Sequence, residues 1–261
     1  MPVDSISGSA AIVTGASVGI GRAVALELAR RGACVALAAR RGSPLLELAE
    51  EIRRRGGQAL PIPTDVTHKD EVAHMVGRVM EEWGRVDILV SNAGQYIRKP
   101  IVDLSPDLLQ RSLDVNYFGG VHCVLAVLPH MLRQKRGHII ALTSMDGRIG
   151  LPPDAPYVSA KFALTGFLEV LRQELHGTGV SVTNIMPGRV DTPMVEHLRF
   201  HWISPKMPPE HVARGVVSAL KRPRAVIIQP RLAYLLYYIN VFSPSLSDLL
   251  ARWFHLQGWE K

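Results

Sequence analysis

Seven short apolar runs recur along this chain, and stretches with helical periodicity lie between them. The runs are SAAIVTGA, CVALAAR, ALPIPTDV, VDILVSNAG, GHIIALTS, VSVTNIMPG and AVIIQP. The helical stretches include GIGRAVALELARRG, PLLELAEEIRRRGG, KDEVAHMVGRVMEEWG, a long one over much of residues 108–132, one beginning near PYVSAK, and PEHVARGVVSALKR. Strands apolar at successive positions are covered on both faces, as in a parallel sheet. The alternation therefore predicts an α/β fold, a doubly wound sheet of about seven parallel strands flanked by helices in a single domain. Residues 1–230 would form that domain, and residues 231–261 an apolar, amphipathic helical extension of it.

Composition removes several function classes. With 261 residues, 47% of them hydrophobic, the chain fills one α/β core. The two cysteines, Cys34 and Cys123, stand in apolar runs, which reads as core thiols in a reducing compartment. The opening MPVDSISGSAA lacks the basic start and apolar run of a secretory signal, so a cytoplasmic location is expected. Ten histidines form no metal motif, and no catalytic metal is expected. A net charge of +7 would suit nucleic acid, but the basic clusters are short and no nucleic-acid module surrounds them. Arg53, Arg54 and Arg55 read instead as a solvated helix end, where cations complement the dipole.

In a doubly wound sheet, ligands bind beyond the carboxyl ends of the strands. The first strand is followed by TGASVGIG, with Gly15, Gly19 and Gly21 spaced for a tight turn and close approach to a pyrophosphate at a helix N-terminus. The strand before and the helix after make this a Rossmann-type dinucleotide site. The second strand ends in Arg40 and Arg41, with no carboxylate for a ribose 2′-hydroxyl; arginine suits a 2′-phosphate, so NADP(H) is expected over NAD. Later strands are followed by Asp65 and Val66, by SNAG from Ser91 to Gly94, by Ser144, and by PGRVDTP from Pro187. Asn116 interrupts the apolar run of the long helix, which is unfavourable unless its side chain bonds something.

Together TGASVGIG, SNAG, Asn116, Ser144, YVSAK and PGRVDTP, in this order, resemble the short-chain dehydrogenases/reductases over residues 10–229. The resemblance implies a catalytic set of Asn116, Ser144, Tyr157 and Lys161. It implies cofactor phosphate and ribose contacts from Gly15, Ser17, Gly19, Ile20 and Gly21, with Asp65 and Val66 at the adenine. Asn92, Ala93 and Gly94 would lie along the cofactor, and Pro187, Gly188, Val190 and Thr192 at the nicotinamide, with Tyr157 and Lys161 also reaching it. Val18 departs from the basic residue of many NADP-binding relatives, which leaves Arg40 as the principal 2′-phosphate ligand. A homodimer or homotetramer is also implied.

Tyr157 and Lys161, four apart, share a helix face. An ammonium ~5 Å from the phenol, at an effective dielectric of ~20, would favour the phenolate by about 3 kcal/mol. That lowers the tyrosine pKa by about two units, to ~8. The expected reaction interconverts a ketone and a secondary alcohol, with Tyr157 as general acid/base. Ser144 would hold the substrate oxygen. The resemblance adds 4-pro-S hydride transfer, Lys161 on the nicotinamide ribose, and Asn116 positioning a water. The competing expectation is a non-catalytic NADP(H)-sensing or scaffold protein on the same fold.

The resemblance implies that residues 194–209, MVEHLRFHWISPKMPP, lid the substrate; the alternative is a loop packed on its own domain. Met194, Leu198, Phe200, Trp202 and Ile203, with His197 and His201, point to a bulky apolar, lipid- or steroid-like substrate. Residues 232–242 are too short to span a bilayer. Pro244 ends that run, and a serine-capped helix is expected from Ser245 or Ser247, with Leu246, Leu249, Leu250 and Trp253 on one face. Residues 232–256 would either fold against their own domain or a sister subunit, or rest on a membrane surface, flanked by Arg231 and Arg252.

Overall fold

The computed structural model describes residues 6–201, 205–256 and 258–260. The first half runs β1 (Ala10–Thr14), α1 (Gly19–Arg30), β2 (Cys34–Ala39), α2 (Gly42–Arg54), β3 (Gln58–Pro63), α3 (Lys69–Trp83) and β4 (Ile88–Ser91). There follow α4 (Pro106–Leu113), α5 (Gly119–Gln134), β5 (Gly137–Leu142), α6 (Ala155–Glu174), β6 (Val180–Pro187) and a short β7 (Leu198–Arg199). The chain ends with α7 (Pro209–Lys221), β8 (Val226–Gln229), α8 (Ala233–Phe242), α9 (Pro244–Trp253) and β9 (Trp259–Glu260).

Seven strands form one sheet in the order β3-β2-β1-β4-β5-β6-β8, and every pairing in it is parallel. All seven sequence-predicted strands are present. β1, β4 and β5 are buried at every position, because helices cover both faces. One core layer joins β1 to α1, α2 and α7 through Val13, Leu28, Leu45 and Val216; the other joins the opposite face to α3, α5 and α6 through Ile12, Met75, Val127 and Leu168. The strand order reverses about β1, so a crevice opens between the ends of β1 and β4.

The long helix differs from its expectation. It runs from Pro106 to Gln134, capped by the Ser105 hydroxyl accepting from Leu108 N–H, but a π turn over Asp114–Phe118 divides it into α4 and α5. Its length and apolarity would suffice to cross a membrane. Its inner side, with Cys123, Val124, Val127 and Met131, is fully buried under the sheet, as in a core helix. Cys34, expected in the core, is half-buried at the start of β2 with Sγ 3.4 Å from Gln58 Oε1.

The C-terminal extension also corrects the sequence reading. α9 begins at Pro244, and the preceding Ser243 makes no side-chain cap; proline's fixed φ opens the helix instead. Ser247 and Ala251 face inward and are buried, whereas Leu249 is 51% and Trp253 72% exposed. On α8, Leu235, Tyr238, Val241 and Phe242 are exposed too. The inner side does pack on its own domain: Asn240 Nδ2 donates to Arg148 O (3.3 Å) and the Tyr234 hydroxyl accepts from Ile228 N–H (3.3 Å). β9 then pairs antiparallel with β7, an element that nothing in the sequence pattern announced.

Candidate active site

The crevice between β1 and β4 is built mostly from backbone. α1 starts at Gly19 after Val18, which offers no side-chain cap, so the first-turn amides face the glycine-rich loop. Gly19 adopts φ of 57°, and a β-carbon there would lie 3.0 Å from Thr192 Cγ2. A β-carbon on Gly21 would run into the Gly15 carbonyl oxygen and crowd Asn92 Nδ2. Thr14, which the motif reading passed over, ties the two sides together: its hydroxyl accepts from the N–H groups of Asn92 (3.0 Å) and Ala93 (3.1 Å). Asn92 Nδ2 donates in turn to Thr14 O (2.9 Å) and Gly15 O (3.2 Å), so part of its role is to hold the crevice shut at its base.

The remaining cofactor-side residues line the same edge. Arg40 and Arg41 are exposed beyond β2, while Ser17 and Ile20 are half-buried at the start of α1. Burial pushes the Asp65 carboxyl up, yet the Thr67 amide and hydroxyl, with Arg40 nearby, outweigh it and hold Asp65 below the usual carboxylate range. Val66 is buried against Gly119, and its carbonyl meets His122 Nδ1 at 3.0 Å. Beyond β6, Gly188 N–H donates to Gln229 O (2.6 Å) and Val190 bridges to Met207, which carries Thr192 over the start of α1. A polar cradle closed to side chains and open to backbone amides fits a dinucleotide pyrophosphate.

Tyr157 and Lys161 stand in the first two turns of α6. Their stripe continues as Leu164, Leu168 and Leu171, all buried. Each such leucine contributes about 1.5–3 kcal/mol, which fixes the rotation of the helix and delivers the polar pair to the sheet edge. Lys161 Nζ donates to Leu142 O (3.2 Å) and lies 5.4 Å from the centre of the Tyr157 ring. Asn116 is buried in the π turn: Nδ2 donates to Gln95 O (2.8 Å) and Ser112 O (3.0 Å), and Oδ1 accepts from Gln95 N–H (3.1 Å). Those bonds satisfy the mid-helix asparagine. A β-carbon at Gly94 would lie 2.9 Å from Asn116 Oδ1 and 3.8 Å from Lys161 Nζ, so the two side chains flank one small space. Ser144 follows β5, its hydroxyl 3.0 Å from Asp146 Oδ2. The structure thus brings Asn116, Ser144, Tyr157 and Lys161 together.

The protonation states depart from expectation. Burial raises the Tyr157 phenol well above its usual value, Asp146 raises it further, Ser144 pulls the other way, and Asp154 adds to the rise. The predicted lowering to ~8 is therefore overturned in the protein as it stands. Burial also takes Lys161 down to about 8 against the pull of Asp146, so the ammonium that was to stabilise the phenolate is itself weakened.

Burial is the larger cause, and a charged wall that motif reading missed adds to it at Tyr157. Tyr96 meets the Tyr157 ring edge-on at 4.9 Å, and its hydroxyl donates to Asp154 Oδ2 (2.6 Å). Arg98 Nε donates to Asp154 Oδ1 (2.9 Å), and burial raises the Asp154 carboxyl despite both partners. Arg189 lies 4.3 Å over the Phe200 ring, with Lys206 Nζ at 5.7 Å from the same ring. Asp146 and Arg189 sit inside motifs already noted, after Ser144 and within PGRVDTP; their position at strand ends was the available signal. Of the lid residues, Leu198 is buried, while Met194 and His197 are exposed. His201 packs 5.9 Å from the Phe254 ring, and Trp202 and Ile203 lie outside the described residues.

Comparison with known proteins gives the family. A family model described as short chain dehydrogenase matches residues 9–201. An uncharacterised oxidoreductase of Staphylococcus epidermidis is 38% identical over 216 residues, 83% of this chain and 92% of that protein. A fatty acyl-CoA reductase of Acinetobacter baylyi is 34% identical over 252 residues, 95% of this chain and 84% of that one. Among solved structures, an alcohol dehydrogenase of Thermococcus sibiricus in complex with 5-hydroxy-NADP superposes with a TM-score of 0.75 at 29% identity, covering 84% of this chain and 94% of its own. The chain belongs to the short-chain dehydrogenase family and is an oxidoreductase with a nicotinamide-cofactor-binding Rossmann fold.

Proposed function

We propose that this oxidoreductase is an NADP(H)-dependent carbonyl reductase, interconverting a ketone and a secondary alcohol through Tyr157. The observation that carries the reading is the convergence of Tyr157, Lys161, Ser144 and Asn116 beside the glycine cradle. The bound cofactor supplies or accepts the hydride. In reduction the Tyr157 hydroxyl gives its proton to the developing alkoxide, and Ser144 holds the same oxygen. Burial keeps Tyr157 protonated at neutral pH, the form that reduction needs. Lys161, between Leu142 O and the space beside Asn116, would hold the ribose and return protons to Tyr157.

Arg40 and Arg41, exposed just after β2 where the sequence carries no acidic residue, favour NADP(H). The substrate we propose has a bulky apolar body and a polar reacting end. The charged wall around Asp154 and Arg189 supports the second feature, and the fatty acyl-CoA reductase relative the first. NADPH and NADH oxidation against ketones of graded size and polarity tests all three points. Tight NADPH binding without turnover of any carbonyl would leave a non-catalytic role.

We also propose that the protein works in the cytoplasm at a bilayer surface, met by the exposed outer sides of α8 and α9 between Arg231 and Arg252. Leu125, Phe162 and Val170, exposed on α5 and α6, suit self-association as a dimer or tetramer. Full-length protein should co-sediment with anionic vesicles, and Leu249→Asp with Trp253→Asp should abolish this. A discrete oligomer that ignores vesicles at low salt would give the α8–α9 face to a second copy of the chain.

A further inference from the structure

Ser144 has one hydroxyl proton. In the structure its Oγ lies 3.0 Å from Asp146 Oδ2 and accepts the Asp146 backbone N–H, also at 3.0 Å. The proton therefore points at a carboxylate, while the proposed reaction needs it on the substrate oxygen. Among the described residues, several segments bring a charged or titratable group to Asp146: Tyr157 and Lys161 from α6, Asp154 from the turn before α6, Arg189 from the segment after β6, and Tyr96 from the segment after β4.

We propose that Asp146 is a positioning residue for the Ser144 hydroxyl: ionised, it holds the Ser144 proton away from the substrate oxygen; protonated, it donates to Ser144 Oγ and releases that proton to the substrate. This rests on the carbonyl-reductase reading above. The proton balance is simple. Hydride goes to the carbonyl carbon and the Tyr157 proton to its oxygen; the Asp146 proton stays in place and only changes which way the chain of hydrogen bonds runs. Burial and Asp154 raise the Asp146 carboxyl to about 6 against the opposing effects of Ser144, Arg189 and Lys161, so the two states interchange near neutrality. The ionised state also raises the Tyr157 pKa, so both effects of ionisation oppose ketone reduction.

The test compares wild type with Asp146→Asn, whose amide donates to Ser144 at every pH and carries no charge. Single-turnover NADPH oxidation with 2-decanone should slow by about two- to tenfold in wild type as pH rises through the Asp146 titration, the worth of one hydrogen bond. In Asp146→Asn that decline should vanish, and the pH limb for oxidation of 2-decanol should move to lower pH. A profile unchanged in Asp146→Asn, or activity lost equally at all pH values with NADPH binding intact, overturns the proposal. A second measurement needs no substrate: carbon-13 NMR of carboxyl-labelled aspartate, with Asp146 identified by its loss in Asp146→Asn. Ser144→Ala should raise the Asp146 titration, and an unmoved titration overturns the coupling. A wild type that fails to turn over 2-decanone counts against the reductase reading and leaves the NMR result to decide this one.

Discussion

The two halves of the sheet solve different problems. The half from β1 to β3 presents backbone amides and exposed arginines. Its carboxylates Glu27 and Asp65 sit below the usual range: Arg30 and Arg31 bind Glu27 against burial, and Thr67 and Arg40 outweigh burial at Asp65. The half from β4 to β8 buries its ionisable groups. There Tyr96, His138, Asp146, Asp154, Tyr157, Lys161 and Arg189 are all pushed toward their neutral forms, with burial as the largest cause. A charged pyrophosphate is matched by fixed dipoles that no pH change alters. Proton transfer needs groups whose charge is costly to keep, and burial supplies that.

Three measurements would break or sharpen this contrast. The largest effect is expected for Tyr157→Phe, which removes the proton donor and leaves the crevice filled. Hydride transfer should fall by about 10²-fold or more, with NADPH affinity nearly unchanged. Retained activity would detach catalysis from the buried half.

Next is His138, on β5, buried with Nε2 2.9 Å from the Thr183 hydroxyl and its pKa lowered from 6.5 to about 4. The unfolded chain binds a proton there that the folded one resists. Stability is therefore fully present above pH 6.5 and is lost as pH falls toward 4, by about 3 kcal/mol. Denaturant titrations at several pH values should show that loss in wild type and a shallower one in His138→Asn. Equal slopes would mean that other groups carry the acid sensitivity.

The smallest effect belongs to the exposed half. Wild type should bind NADPH over NADH by at least about tenfold, and Arg40→Asp should reverse the preference by removing a cation and adding repulsion. Equal wild-type affinities would remove Arg40 from its assigned role.

The sequence by itself determined the seven parallel strands, the glycine loop after the first of them, and the shared helix face of Tyr157 and Lys161. Each follows from a local rule: apolar residues at successive positions, backbone freedom at glycine, and the helical repeat. The π turn that lets Asn116 reach Gln95, the outward turn of Leu249 and Trp253 on α9, and the pairing of β9 with β7 depended on what each segment packs against. So did the direction of the Tyr157 pKa shift. A lysine four residues away predicts a lowering; the folded protein adds burial, Asp146 and Asp154, and these win. Desolvation and charge act through space across several chain segments, and only the tertiary structure fixes their sum.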